Sequence, residues 1–151
     1  MKIDTIVNNP LECEELGMKV SSMLTEKDIL LLEGDLASGK TTFVKGVLKG
    51  LNFTEDVTSP TFTLVNEYNA NIKVIHIDFY REPSIKRWES IGFYEYLSKN
   101  NLIIIEWPNL IPEFFENEIH TSCILSILLI EKGEYLLNEK FYIYKYCNKY
   151  M

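Results

Sequence analysis

Apolar and polar positions along the chain sort into a few recognisable runs. Leu16, Val20, Met23 and Leu24 recur at helical spacing behind Asn9 as a cap, Pro10 at the first helical position and Glu12 near the positive helix end, predicting a helix over residues 10–24. Residues 28–33 (DILLLE) and 102–106 (LIIIE) are continuous apolar runs of the kind found in strands buried on both faces. Between them, 61–68 and 72–78 read as extended segments joined by the polar turn Asn69-Ala70-Asn71, a hairpin. Helical spacing returns at 42–48, with Gly50 as a left-handed terminator, and at 88–99 through Ile91, Tyr94, Glu95 and Leu97. Two long strands, about 119–131 and 135–146, surround a turn at Lys132-Gly133-Glu134, and the tyrosine-rich tail that includes Tyr135 and runs from Phe141 to Tyr150 reads as an edge strand. No repeat, low-complexity tract or linker divides the 151 residues, so a single domain over 1–151 is expected, built as a mixed parallel and antiparallel sheet flanked by helices.

Composition narrows the partners. A hydrophobic share of 46% supports an ordinary core and excludes a disordered chain, while a net charge of −7 opposes stand-alone binding to DNA or RNA, so any nucleic acid is expected through a partner. Cys13, Cys123 and Cys147 are an odd number at wide spacings, suggesting neither a disulfide framework nor a zinc site. The first ten residues lack the apolar core of a signal peptide, and the longest apolar run, 123–130, is too short to span a bilayer, so a cytoplasmic protein with no membrane contact is expected.

Chemistry concentrates after the first buried strand. Gly34-Asp35-Leu36-Ala37-Ser38-Gly39-Lys40-Thr41 satisfies G-x-x-x-x-G-K-[ST], a phosphate-binding loop, and Thr42 opens the helix behind it. Amides wrapped around an anion must point inward, which demands a compact loop with glycine where a side chain would intrude, and the unpaired amides of the helix add positive potential there. The strand, loop and helix sequence predicts a three-layer P-loop NTPase fold. It also predicts a nucleotide as ligand, with Lys40 reaching the β- and γ-phosphates and the Thr41 hydroxyl on Mg²⁺. Ala37 stands where many such loops have a further glycine, so a negative φ is expected there. A magnesium site also needs a carboxylate at a neighbouring strand tip; Glu106 and Asp78 both qualify, with His76 two residues before Asp78 on the same face.

These blocks, together with Ser59-Pro60-Thr61-Phe62, His76-Ile77-Asp78-Phe79-Tyr80-Arg81 and Glu106-Trp107-Pro108, occur in an order and spacing that resemble the TsaE (YjeE) family of bacterial P-loop ATPases. The resemblance implies an ATPase that assists a TsaD-like threonylcarbamoyl transferase and a TsaB-like subunit in forming threonylcarbamoyladenosine at position 37 of tRNAs reading A-starting codons, with tRNA met only through the complex. It implies residues 34–42 as the ATP loop, Thr41 and Glu106 as magnesium ligands, Ser59 and Thr61 as a switch near the γ-phosphate, and Asp78, Tyr80 and Arg81 as an activity-linked block. Two departures stand out: Ala37-Ser38 replaces Gly-Ala, which bears on nucleotide affinity, and Cys13 replaces a common threonine, which bears on a polar contact.

Lys40, Asp78 and Glu106 are thus the catalytic candidates, with either carboxylate able to order the attacking water. No arginine lies within the loop, so turnover is expected to be weak until a partner orders Arg81 or Arg87. His76 reads first as a hydrogen-bonded strand histidine, His120 as a surface residue, and Trp88 and Trp107 as core or interface aromatics. Arg81, Lys86 and Arg87 with Trp88 read either as a solvated basic turn or as an RNA contact by charge and stacking. Two rival functions share the loop: a small-molecule kinase, for whose acceptor segment and lid the chain leaves little space, and a non-hydrolysing, nucleotide-dependent interaction module.

Overall fold

A computed structural model describes the backbone of residues 2–112, 123–131 and 139–147, and the side chains of residues 5 and 7–112. Strands β1 (Lys2–Val7), β2 (Ile29–Gly34), β3 (Val65–Asn69), β4 (Lys73–Asp78), β5 (Leu102–Glu106), β6 (Cys123–Glu131) and β7 (Glu139–Cys147) form one sheet in the order β1-β7-β6-β2-β5-β4-β3. The centre is parallel: β2 pairs with β5 and β6, and β5 pairs with β4. Antiparallel partners extend it on both sides, β3 on β4 and β7 on β6, with β1 outermost against β7.

The central strands are apolar throughout because both faces are covered. Leu30, Leu32, Val74, Leu102 and Ile104 pack with Leu16 and Val20 of α1 (Pro10–Ser21) and Phe43 and Val47 of α2 (Lys40–Gly50). Ile29, Leu31, Ile75, Ile77, Ile103 and Ile105 point the other way, onto Phe79, Trp88 of α3 (Ile85–Ser90) and Phe93 of α4 (Phe93–Ser98). That alternation makes the three layers and the mixed sheet expected from the sequence. Asn9 caps α1 by accepting from the Glu12 amide at 2.9 Å, while the Glu12 carboxylate accepts from the Asn8 amide at 2.8 Å, so each satisfies an orphan donor. Among the described residues, no helix is long and apolar enough to cross a membrane.

Several boundaries differ from expectation. The first hairpin strand begins at Val65, not 61, because the Leu64 amide turns back to the Pro60 carbonyl at 2.6 Å with φ 67° at Leu64. The helix expected over 88–99 starts earlier and is cut in two at Gly92, whose φ of 81° cannot continue it. Gly50 does not terminate α2 in a left-handed conformation; it remains helical, and Asn52 takes the positive φ of 63°. Strand β7 is interior, because β1, whose six residues the sequence reading left without structure, takes that edge. Trp88 is only 1% exposed and donates to the Glu82 carbonyl, so it stacks on no RNA base. The turn at 132–134, His120 and Tyr135 lie outside the described residues.

Helices α1 and α2 touch backbone to backbone. A Cβ at Gly46 would overlap the Glu14 carbonyl oxygen, one at Gly17 the Phe43 carbonyl oxygen, and one at Gly50 the Ser21 hydroxyl. Alanine ordinarily favours a helix over glycine by up to about 1 kcal/mol; here the overlap wins, because neither backbone can yield without moving its helix. Gly46→Ala is therefore expected to destabilise the protein by about 3 kcal/mol, measured by urea unfolding.

Candidate functional site

Parallel register brings the strand tips level. Asp78 of β4 pairs with Glu106 of β5, and Glu106 with Leu32 of β2, two residues before Gly34 begins the loop. The ends are stitched together, the Trp107 amide donating to the Leu32 carbonyl and the Phe79 amide to the Glu106 carbonyl, each at 3.1 Å. At this edge lies a cavity of about 240 Å³ walled by residues 36–42 on one side and by Ser59, Thr61, Asp78, Glu106 and Trp107 on the other.

The loop turns into α2 at Gly39, φ 92°, and the first bond of the helix runs from the Phe43 amide to the Gly39 carbonyl at 2.9 Å. The amides of Lys40, Thr41 and Thr42 therefore have no helical acceptor and sit beside the cavity, where they favour an anion. Cys13 of α1 reaches this turn, its thiol 3.7 Å from the Gly39 carbonyl, so a weak polar contact survives at the position where the family commonly has threonine.

Lys40 is 5% exposed. Its ammonium donates to the Gly34 carbonyl at 2.8 Å and the Asp35 carbonyl at 2.7 Å, and lies 4.3 Å from the centre of the Trp107 ring. Burial pushes its pKa below the ordinary lysine value, and the charges of Glu106, Asp78 and Asp35 pull the other way. Gly34 and Asp35 thus serve as anchors for Lys40 rather than as walls of the cavity.

The two carboxylates are held differently. Asp78 is engaged at both oxygens: Oδ1 accepts from the Tyr80 amide at 2.8 Å and Oδ2 from the Thr61 hydroxyl at 2.6 Å. Since that hydroxyl hydrogen is committed, the 2.7 Å contact between Ser59 and Thr61 has Ser59 donating. Glu106, 3% exposed, bonds through Oε1 to His76 Nε2 at 2.8 Å, and among the described residues no hydrogen bond reaches its Oε2. His76 is fully buried and half-satisfied, its Nδ1 having no partner among the described residues. Among the described residues no three His, Cys, Asp or Glu side chains converge as a metal cage. The free Oε2 and the Thr41 hydroxyl are hard oxygen donors that fit Mg²⁺ completing its shell with phosphate and water.

Tyr80 and Arg81 stay outside the cavity. Tyr80 stacks on the outer side of the site against Trp107, ring centres 5.0 Å apart, and the Arg81 guanidinium lies 4.1 Å from the ring centre of Phe62, which is 81% exposed. The sequence reading placed Phe62 in the switch-like block 59–62 without a partner for its ring, and nothing in the spacing of residues 62 and 81 announces that they meet.

Residues 7–134 match the family model described as threonylcarbamoyl adenosine biosynthesis protein TsaE. The chain belongs to the TsaE family. Relatives bearing the name tRNA threonylcarbamoyladenosine biosynthesis protein TsaE include one from Bacillus subtilis, 39% identical over 73% of this chain and 69% of the relative, and one from Aquifex aeolicus, 36% identical over 87% and 90%. The fold is similar to that in the crystal structure of Bacillus subtilis YdiB, with a TM-score of 0.73 and 27% identity across 95% of this chain and 84% of that one. The sequence blocks that resemble TsaE meet around this one cavity, although they are spread over more than seventy residues of chain.

One expectation about the loop fails. Ala37 has φ 63°, in the left-handed region, not the negative φ expected. A Cβ there costs about 1–2 kcal/mol, part of which replacement by glycine loses again through the freer unfolded chain. Ala37→Gly, which restores the residue common in the family, is expected to stabilise the protein by about 1 kcal/mol in chemical denaturation, without weakening nucleotide binding.

Proposed function

We propose that this chain acts as a single-domain, cytoplasmic ATPase that binds ATP or ADP at residues 34–42 and assists the formation of threonylcarbamoyladenosine in tRNA. It would work with a TsaD-like transferase and a TsaB-like subunit and meet tRNA only through them. The names of the relatives support the pathway. The observation that carries the chemistry is the buried Lys40 and the open amides of α2 facing two carboxylates across one cavity.

Phosphoryl transfer to water asks chiefly for positioning and charge stabilisation. Lys40 exchanges its carbonyl partners for β- and γ-phosphate oxygens, an exchange of one set of oxygen acceptors for another. Thr41 and Glu106 would hold Mg²⁺, which when bound neutralises the same phosphate oxygens. Both Asp78 oxygens already hold local donors, and its part is played through the hydroxyls it organises. Ser59 donates to Thr61 and Thr61 to Asp78, and Ser59 Oγ keeps a lone pair for the attacking water, whose hydrogen it accepts. The same chain ties the 59–61 segment to β4 and senses the γ-phosphate. Arg81, held over Phe62 rather than at the phosphates, leaves turnover without a late cation until a partner moves it.

Calorimetry and phosphate release on wild type, Lys40→Ala and Asp78→Asn check these roles. Lys40→Ala is expected to weaken ADP binding by about 10–100-fold, the worth of a charge-assisted contact. Asp78→Asn is expected to keep binding and lose about 100-fold in kcat. Wild-type turnover should be slow alone and rise with the transferase complex. Nucleotide-dependent association with that complex and no phosphate release above background would instead mark a non-hydrolysing module.

A further inference from the structure

His76 is the one buried polar side chain on β4 that the proposed reaction does not use, and its burial needs a reason. An imidazole with no exposed surface among Val74, Leu102 and Ile104 costs more than a leucine would unless it is hydrogen-bonded, and it makes a single bond, to Glu106 Oε1 at 2.8 Å. The acceptor oxygen requires the hydrogen on Nε2. Nδ1, without a hydrogen-bond partner among the described residues, is then the bare nitrogen, which is less costly than an N–H buried without a partner.

Glutamate has three side-chain torsions, and among the described residues His76 is the one hydrogen-bond partner that restrains the Glu106 carboxylate. With that bond removed, the carboxylate is free to turn toward the Lys40 ammonium, whose charge it already feels. We propose that His76 is a positioning residue, whose Nε2–H holds Oε1 of Glu106 so that Oε2 faces the divalent cation accompanying the nucleotide. The proposal rests on the cation reading of Glu106 given above. It assigns His76 a specific task in place of general strand packing, since the Tyr68 ring beside it lies 6.3 Å away ring to ring at a tilt and makes no hydrogen bond to it.

The test uses the purified full chain with ADP, with Mn²⁺ binding read by electron paramagnetic resonance and ADP binding in EDTA by calorimetry. His76→Leu keeps the volume and removes the donor; His76→Gln keeps a donor near the Nε2 position. His76→Leu is expected to raise the Mn²⁺ dissociation constant by about 10–100-fold and leave ADP binding in EDTA unchanged, with His76→Gln recovering most of the loss. Equal Mn²⁺ affinity in wild type and His76→Leu overturns the proposal, as does a parallel loss of ADP binding in EDTA, the sign of a merely structural role. Nitrogen-15 spectra of the wild-type imidazole give a reading that needs no variant to fold: the Nε2–H tautomer supports the proposal and the Nδ1–H tautomer overturns it. If wild type binds ADP and takes up no Mn²⁺, the cation reading itself fails and the proposal with it, an outcome distinct from a wild type that binds Mn²⁺ no better than His76→Leu.

Discussion

Parallel pairing of β4, β5 and β2 sets Asp78, Glu106 and Leu32 at one level of the sheet, and the rest of the site depends on that alignment. A shift of two residues in either pairing keeps the apolar faces buried and still destroys the site, because it carries a carboxylate down into the layer of Leu30, Ile104 and His76. The apolar pattern alone therefore does not specify the register completely. Bonds across the strand ends, from Trp107 to Leu32 and from Phe79 to Glu106, act at the tips themselves. The loop then needs only to leave β2 at Gly34 and enter α2 at Lys40 to face both acids.

Charge inside this edge is balanced locally. An ammonium as buried as Lys40 is stable because two loop carbonyls, a tryptophan face and nearby carboxylates surround it. The desolvation of that lysine is thus met by folding rather than by ligand binding, which favours tight recognition of an anion. The close contact of α1 and α2 belongs to the same design: glycines at 17, 46 and 50 let α1 lie against the phosphate-loop helix, and Cys13 reaches Gly39 from there.

Much of this was legible in the sequence because its signals are local. The apolar runs of β2 and β5, the loop between β2 and α2, and the acidic strand ends at Asp78 and Glu106 each lie within a few consecutive residues. What was not legible depends on contacts distant in sequence or on backbone dihedrals. Lys2–Val7 becomes a strand only because β7 offers it an edge. Gly92 lies inside the stretch 88–99 whose spacing reads as one helix, yet it is the break between α3 and α4. Ala37 takes a positive φ that its side chain opposes, since closing the loop around an anion outweighs the local preference. The division of labour between the acids, one bonded at both oxygens by Tyr80 and Thr61 and the other held at one oxygen by His76, rests on side-chain directions that no spacing encodes.

The central claim is that the amides of residues 36–42, Lys40 and Glu106 together form the seat of a triphosphate. A crystal structure of the protein with Mg²⁺ and a non-hydrolysable ATP analogue tests it most directly. The account predicts phosphates enclosed by those amides, Lys40 Nζ transferred from the Gly34 and Asp35 carbonyls to phosphate oxygens, and the metal between Thr41 and Glu106. A nucleotide bound elsewhere, or Lys40 still on its carbonyls with the cavity empty at saturating analogue, would contradict it.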